Sequence, residues 1–192
     1  MADLTKTDIN ELNAIKKGNS LNLQGVNLEG VDLRGVDLID ANLIRANLEG
    51  ANLEEANLAR ASLEEANLRG ANLTRANLTY ARSSRVQLES AILSEAQLKR
   101  TRLYKTNLKS ANLSGANLIL TGLGGTNLEG ANLEGVTIIS YKWPDILIPN
   151  WIEELKEWKV IGYDEIKEKY KLVNTGKKFS YKKRIIYKLQ LK

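Results

Sequence analysis

The chain has 192 residues, 28 of them basic and 23 acidic, with no cysteine and no histidine. That length suits one ordinary domain with an appendage, and the missing residue types exclude a disulfide framework, a thiolate metal site or nucleophile, and the imidazole that most often serves as base or metal ligand. Neither a signal-peptide core nor a stretch long enough to span a membrane is present, so the expectation is a cytoplasmic protein without a transmembrane segment.

The first element is a helix. In "TKTDINELNAIKKGNS", Thr7 suits an N-cap, Ile9, Leu12 and Ile15 fall on one face, and Gly18 ends the run. Residues 1–20 are read as a helix that caps the repeat region beginning at residue 21, with a recruitment helix as the rival reading.

From residue 21 a period of five takes over. Every fifth residue from Leu23 to Ile138 is Leu or Ile, except Ser83, giving 24 repeats of which 23 comply. Two places before each centre stands Ala, Val or Thr in nearly every repeat; one place before it, mostly Asn or Asp; the two places after it are mostly polar or Gly. Five matches neither the 3.6 of a helix nor the 2 of a long strand. A coil that bends after every five residues fits. Leu and the small residue point inward, four sides close a square of about twenty residues, and successive squares stack at roughly 4.8 Å so that main-chain amides pair between coils. Asn before the centre can bond the main chain at each bend.

The run "ANLEGANLEEANLARASLEEANLRGANLTRANL" resembles the pentapeptide-repeat family, with its consensus Ala-Asp/Asn-Leu-x-x, and the resemblance covers residues 21–140. It implies a right-handed quadrilateral β-helix, here of six coils. Family members are abundant in cyanobacteria and most have no assigned activity. A minority resemble B-DNA in shape and charge and shield DNA gyrase from quinolones.

Within the repeats the charge is banded. Residues 24–80 carry five basic and nine acidic side chains, whereas residues 82–109 carry seven basic and two acidic. Residues twenty apart stack, so Arg82, Arg85, Arg102 and Lys105 cluster on the side that holds Ser83, with Lys99 and Arg100 at the next corner. Ser83 in an apolar column has two readings: drift that leaves a dent, or a dent that brings Arg82 and Arg85 together. Further on, Ile119, Leu120 and Ile139 take outward positions and form an apolar patch beside Gly122, Gly124 and Gly125.

Residues 141–192 form the third segment, a C-terminal cap with helical character and a basic tail. Asn150 and Glu153 fit a capping box, and Trp151, Ile152, Leu155 and Trp158 share a helical face. That helix is expected to turn back over Ile119, Leu120 and Ile139, or to bury them in a homodimer. Asp164 can open a second short helix. Tyr187, Leu189 and Leu191 alternate with Lys188, Gln190 and Lys192, as in a half-buried strand. Residues 176–192 hold seven basic side chains and no acidic one, which suits nucleic acid or an anionic surface bound through residues 177–192.

No catalytic constellation emerges, and neither a metal nor a cofactor is implied. Glu54, Glu55, Glu64 and Glu65 occupy outward positions, where charge is simply solvated. "TGLGGTN" at 121–127 opens no helix and lacks the Lys-Ser/Thr of a phosphate loop. The expectation is an all-β solenoid that serves as a non-enzymatic scaffold for an unidentified protein partner. The alternatives are a gyrase-protecting DNA mimic and nucleic-acid or membrane binding through the tail. Mimicry requires a markedly acidic rod, and residues 1–140 carry 15 basic against 16 acidic side chains.

Overall fold

In the computed structural model, which describes residues 6–15, 20–139, 155–156, 159–179 and 184–192, the five-residue period becomes a ladder with a twenty-residue step. Asn22 bridges Asn42, Asn27 bridges Asn47, Asp32 bridges Asn52 and Asp37 bridges Asn57, all in parallel. The four columns continue in the same step to Gly122, Asn127, Asn132 and Thr137. Four columns make four sides, so the repeat folds as a quadrilateral β-helix. Its rungs are main-chain hydrogen bonds: Leu23 N–H donates to Asn42 O at 2.7 Å, and Asn42 N–H to Leu21 O at 2.8 Å.

The corners explain the rest of the repeat. The amide three residues after a centre donates back to the centre's carbonyl, as from Ala41 to Leu38 O at 3.0 Å. The second residue after each centre, from Gly25 to Gly135, has φ near +60°. Glycine enters that region freely, whereas an L side chain costs about 1–2 kcal/mol there. Aspartate, glutamate, arginine, serine, tyrosine and leucine nevertheless hold it at Asp40, Glu55, Arg60, Ser90, Tyr80 and Leu120, because the ladder on either side leaves the chain no other course. Asparagine before the centre acts twice. Its Oδ1 accepts the N–H two residues on, as at Ile44 (3.2 Å), and its Nδ2 donates to the asparagine of the neighbouring coil, as from Asn47 to Asn27 (2.9 Å).

Leucine and alanine fill the axis, and the side chains from Leu28 to Leu63 at the centres are fully buried. Threonine replaces alanine at Thr101, Thr106, Thr121 and Thr126 without stranding its hydroxyl. Each Oγ1 donates to a carbonyl of the preceding coil, at 2.6–2.7 Å.

At the start, α1 (Lys6–Ile15) places Ile9 in the same core as Leu21 and Leu23. At the other end, β1 (Thr137–Ile139) is the last ladder rung and pairs with the tail. A short helix α2 (Tyr163–Lys169) leads into β2 (Tyr170–Phe179), which pairs antiparallel with β3 (Arg184–Leu191), and β3 pairs antiparallel with β1 in the order β1-β3-β2. Thr137 faces Lys188, and Tyr170 faces Leu191. Ile161 extends the second column by bridging Asn127. The amides of the final coil find acceptors in the tail: Gly130 N–H on the Glu165 carboxylate (2.9 Å), Leu133 N–H on the Tyr170 hydroxyl (3.0 Å) and Gly135 N–H on Leu189 O (2.7 Å).

The tail thus differs from the α-helical extension expected of it. Its described part is mostly strand, because a ladder that ends in an open edge is best closed by another strand. Leu189 is buried and Tyr187 half-buried, but Leu191 is exposed. Trp151, Trp158 and the side chain of Ile139 lie outside the described residues, and so does the expectation that the tryptophan helix covers the patch or joins two chains. Of that patch, Ile119 is buried and Leu120 half-buried.

Candidate functional site

The side of the rod that carries Ser83 departs most from the repeat. Its pre-centre column reads Asn22, Asn42, Ser62, Arg82, Arg102, Gly122, so asparagine is lost after the second rung. The Ser83 side chain is buried, and its Oγ has no hydrogen-bond partner among the described residues. The corner behind it is altered as well. Every centre from Leu23 to Leu133 accepts the amide three residues on, save one: Val86 N–H makes no bond to Ser83 O. Ser83 O accepts the Thr106 hydroxyl instead, at 2.6 Å. Where leucine is missing, the corner hydrogen bond is missing too.

Of the four cations expected to cluster here, all lie on this side, but they divide into two pairs. Arg82 and Arg102 are adjacent rungs. Arg82 reaches down to the Ser62 hydroxyl (2.7 Å) and to Glu64 (3.6 Å). Arg85 reaches Glu65 (3.3 Å), which also accepts from Arg45 (2.9 Å). The Arg45 hydrogen bond and charge, with Arg85 behind them, hold the Glu65 carboxyl below its ordinary range. The side chains of Arg102 and Lys105 make no hydrogen bond or ion pair among the described residues. At the next corner Arg100 lies over the Tyr80 ring, 5.3 Å from its centre, and donates to the Tyr80 hydroxyl (3.0 Å).

Tyr104 is the residue that sequence reasoning missed. Half exposed, it lies against bare main chain: a Cβ at Gly122 or Gly124 would stand 3.0 Å from its ring. Tyr104, Thr121, Gly122, Leu123 and Gly124 line a shallow depression of about 200 Å³. The signal was available, since Gly122 and Gly124 stand twenty residues after Arg102 and Tyr104 and so bare the surface where a large ring needs to lie.

Elsewhere several charges pair between coils. Arg60 pairs with Asp40 (2.7 Å), Arg75 with Glu54 (2.6 Å) and Glu55 (2.9 Å), and Arg69 with Glu89 (3.8 Å). Among the described residues no cluster of carboxylates could hold a metal ion, and no helix is long and apolar enough to cross a membrane.

A family model described as pentapeptide repeats matches the chain in eight copies, over residues 22–58, 56–82 and 84–118. The break in that match falls on Ser83. The ladder itself runs on to Thr137, beyond the matched region. The chain is similar to solved structures of such proteins. Rfr23 from the cyanobacterium Cyanothece 51142 is 28% identical over 65% of this chain and 94% of that one, with a TM-score of 0.35. The alr5209 protein from Nostoc Pcc 7120 is 20% identical over 84% and 98%, with a TM-score of 0.32. Full-length QnrB1, a plasmid-mediated fluoroquinolone resistance protein, is 19% identical over 62% and 80%, with a TM-score of 0.35. A search of curated proteins finds no match.

Proposed function

Since the chain belongs to the pentapeptide-repeat family, we propose that it is a non-enzymatic scaffold, a rod of six right-handed coils closed by an N-terminal helix and a C-terminal cap, which presents a fixed outer surface to a protein partner in the cytoplasm. The carrying observation is the contrast between axis and exterior. The axis is packed with leucine along the ladder, which leaves no enclosed pocket for a small substrate among the described residues. The exterior holds charged side chains in a twenty-residue register, braced by ion pairs between coils. Such a surface is already rigid, so little ordering opposes the docking of a partner.

The gyrase-protecting reading is weaker on the same grounds. A DNA mimic needs carboxylates free to stand in for phosphates, and here Asp40, Glu54, Glu55 and Glu65 each face an arginine. The scaffold reading is tested by capturing a partner on the immobilised full chain and mapping its footprint by hydrogen exchange. Protection confined to one or two faces of the ladder, lost when charges on those faces are reversed, supports it. Saturable turnover of a small molecule, abolished by replacing one carboxylate, overturns it.

A further inference from the structure

We infer that the Ser83 side of the rod, from Arg82 to Gly125, is a binding surface for single-stranded nucleic acid, with Tyr104 as the platform for one base and Arg102 and Lys105 as the phosphate contacts. This goes beyond the scaffold reading and does not depend on it.

Three independent features meet there. The first is charge: Arg102 and Lys105 flank Tyr104, and neither side chain is engaged among the described residues. The second is the main chain. Wherever asparagine precedes the centre, its Oδ1 occupies the N–H two residues on. On this side Arg82, Arg102 and Gly122 stand in its place, and the amides of Ser84, Tyr104 and Gly124 bond nothing among the described residues. Three donors therefore rise along one face at the spacing of the coils, about 4.8 Å. The third is the exposed Tyr104 ring, seated on Gly122 and Gly124. A base can stack on it, as bases do on the aromatic platforms of single-strand binders.

The balance of donors and acceptors selects the ligand. The carbonyls of Arg102, Tyr104, Gly122 and Gly124 are occupied by the ladder, accepting from Ser83, Arg85, Leu103 and Lys105. What this half of the face offers is mainly donors. A peptide brings an N–H for every carbonyl, and on this face its own N–H groups would find no free acceptor. A phosphodiester chain brings only acceptors. A duplex keeps its bases stacked inside and cannot offer one to Tyr104. The carboxylates of Glu64 and Glu65 bound the surface on the lower side, where Arg82 and Arg85 meet them, so the strand is confined to the upper coils.

The test is anisotropy of a fluorescein-labelled oligothymidylate of about twelve nucleotides against the full chain across a salt series. Tyr104→Ala is expected to weaken binding about tenfold, the loss of one stacked base, and Tyr104→Trp to preserve it. Arg102→Gln with Lys105→Gln is expected to lower the salt slope by about 1.4, two phosphates on a single strand. Inorganic polyphosphate, which has no bases, should bind with no dependence on Tyr104. Circular dichroism melts confirm that the variants fold, which half-exposed positions permit. Binding untouched by Tyr104→Ala and by the paired Arg102→Gln and Lys105→Gln would assign it to the basic tail and overturn the proposal. So would tighter binding of the duplex, preference for an acidic peptide over the oligonucleotide, or no binding at low salt.

Discussion

Replacing Ser83 by leucine should stabilise the protein, and the structure sets the size of the effect. Centres above and below it, Leu63 and Leu103, are buried, as are Leu78 and Leu88 along the chain, so a leucine there would be surrounded by apolar side chains. Removing a buried leucine typically costs ~2–5 kcal/mol. Reversing that recovers only a part, because neighbours have already relaxed and refilling a settled site carries strain of ~1–3 kcal/mol. Two further gains act in the same direction. The stranded Ser83 hydroxyl disappears, and the Val86 amide regains the carbonyl it lacks, each worth about 1 kcal/mol. The expected net is a gain of about 1–3 kcal/mol, read as a higher guanidinium midpoint at unchanged slope. Hydrogen exchange gives a local check, since the Val86 amide should exchange more slowly in the variant. Ser83→Ala separates the contributions: it removes the hydroxyl without filling the column and should gain less than leucine. If Ser83→Ala destabilises the fold, the hydroxyl has a partner after all. If leucine destabilises while alanine does not, the column has closed too far to take it. Either outcome refutes the reasoning.

At the capped end, Gly162→Ala should destabilise well beyond the backbone cost, because the new Cβ would lie 2.8 Å from the Glu129 amide nitrogen. Gly50→Ala, which meets nothing within 4 Å, should lose only about 1 kcal/mol of backbone strain; similar melting points for the two would contradict the packed cap. Arg45 and Arg85 hold the Glu65 carboxyl below the usual carboxylate range, so its share of stability is present above the unfolded pKa and lost as pH falls through the lowered folded value. Glu65→Gln should flatten that part of the stability profile between neutral and acid pH, and a profile unchanged by it would show that the Arg45–Glu65–Arg85 stack is idle. In a supercoiling assay with gyrase and ciprofloxacin, no protection is expected at micromolar protein, and rescue would reinstate mimicry.

The five-residue spacing of leucine was enough to read the ladder, because a closed path of four sides returns an inward side chain every five residues and a stacked neighbour every twenty. The role of asparagine at the bends was equally legible. The left-handed turn residues were not, since Glu55, Arg60 and Tyr80 carry no local sign of φ near +60°; the ladder imposes it. Leu189 and its alternation with charged residues announced β3, yet β2 was hidden. Tyr170–Phe179 follows the charged helix α2 directly and acquires strand form by pairing with β3. At the candidate site the cations were visible as a band in the sequence. Their division into engaged and unengaged pairs was not, because it depends on whether Glu64 and Glu65 or glycines stand on the adjoining coil.

The twenty-residue step also governs how such a chain can change length. Gain or loss of twenty residues leaves every column intact and alters only the height. Gain or loss of five keeps the leucine axis and every corner, yet shifts each later residue to the adjoining column, so the upper surface turns by a quarter against the lower one. In this chain a five-residue slip below Arg82 would carry Arg102, Tyr104 and Lys105, together with their rung neighbours Arg82 and Gly122, onto the adjoining side relative to the lower coils while the core registered no change. Slippage in a repetitive gene can therefore reshuffle the surface without testing the fold, and selection on binding is freed from selection on stability.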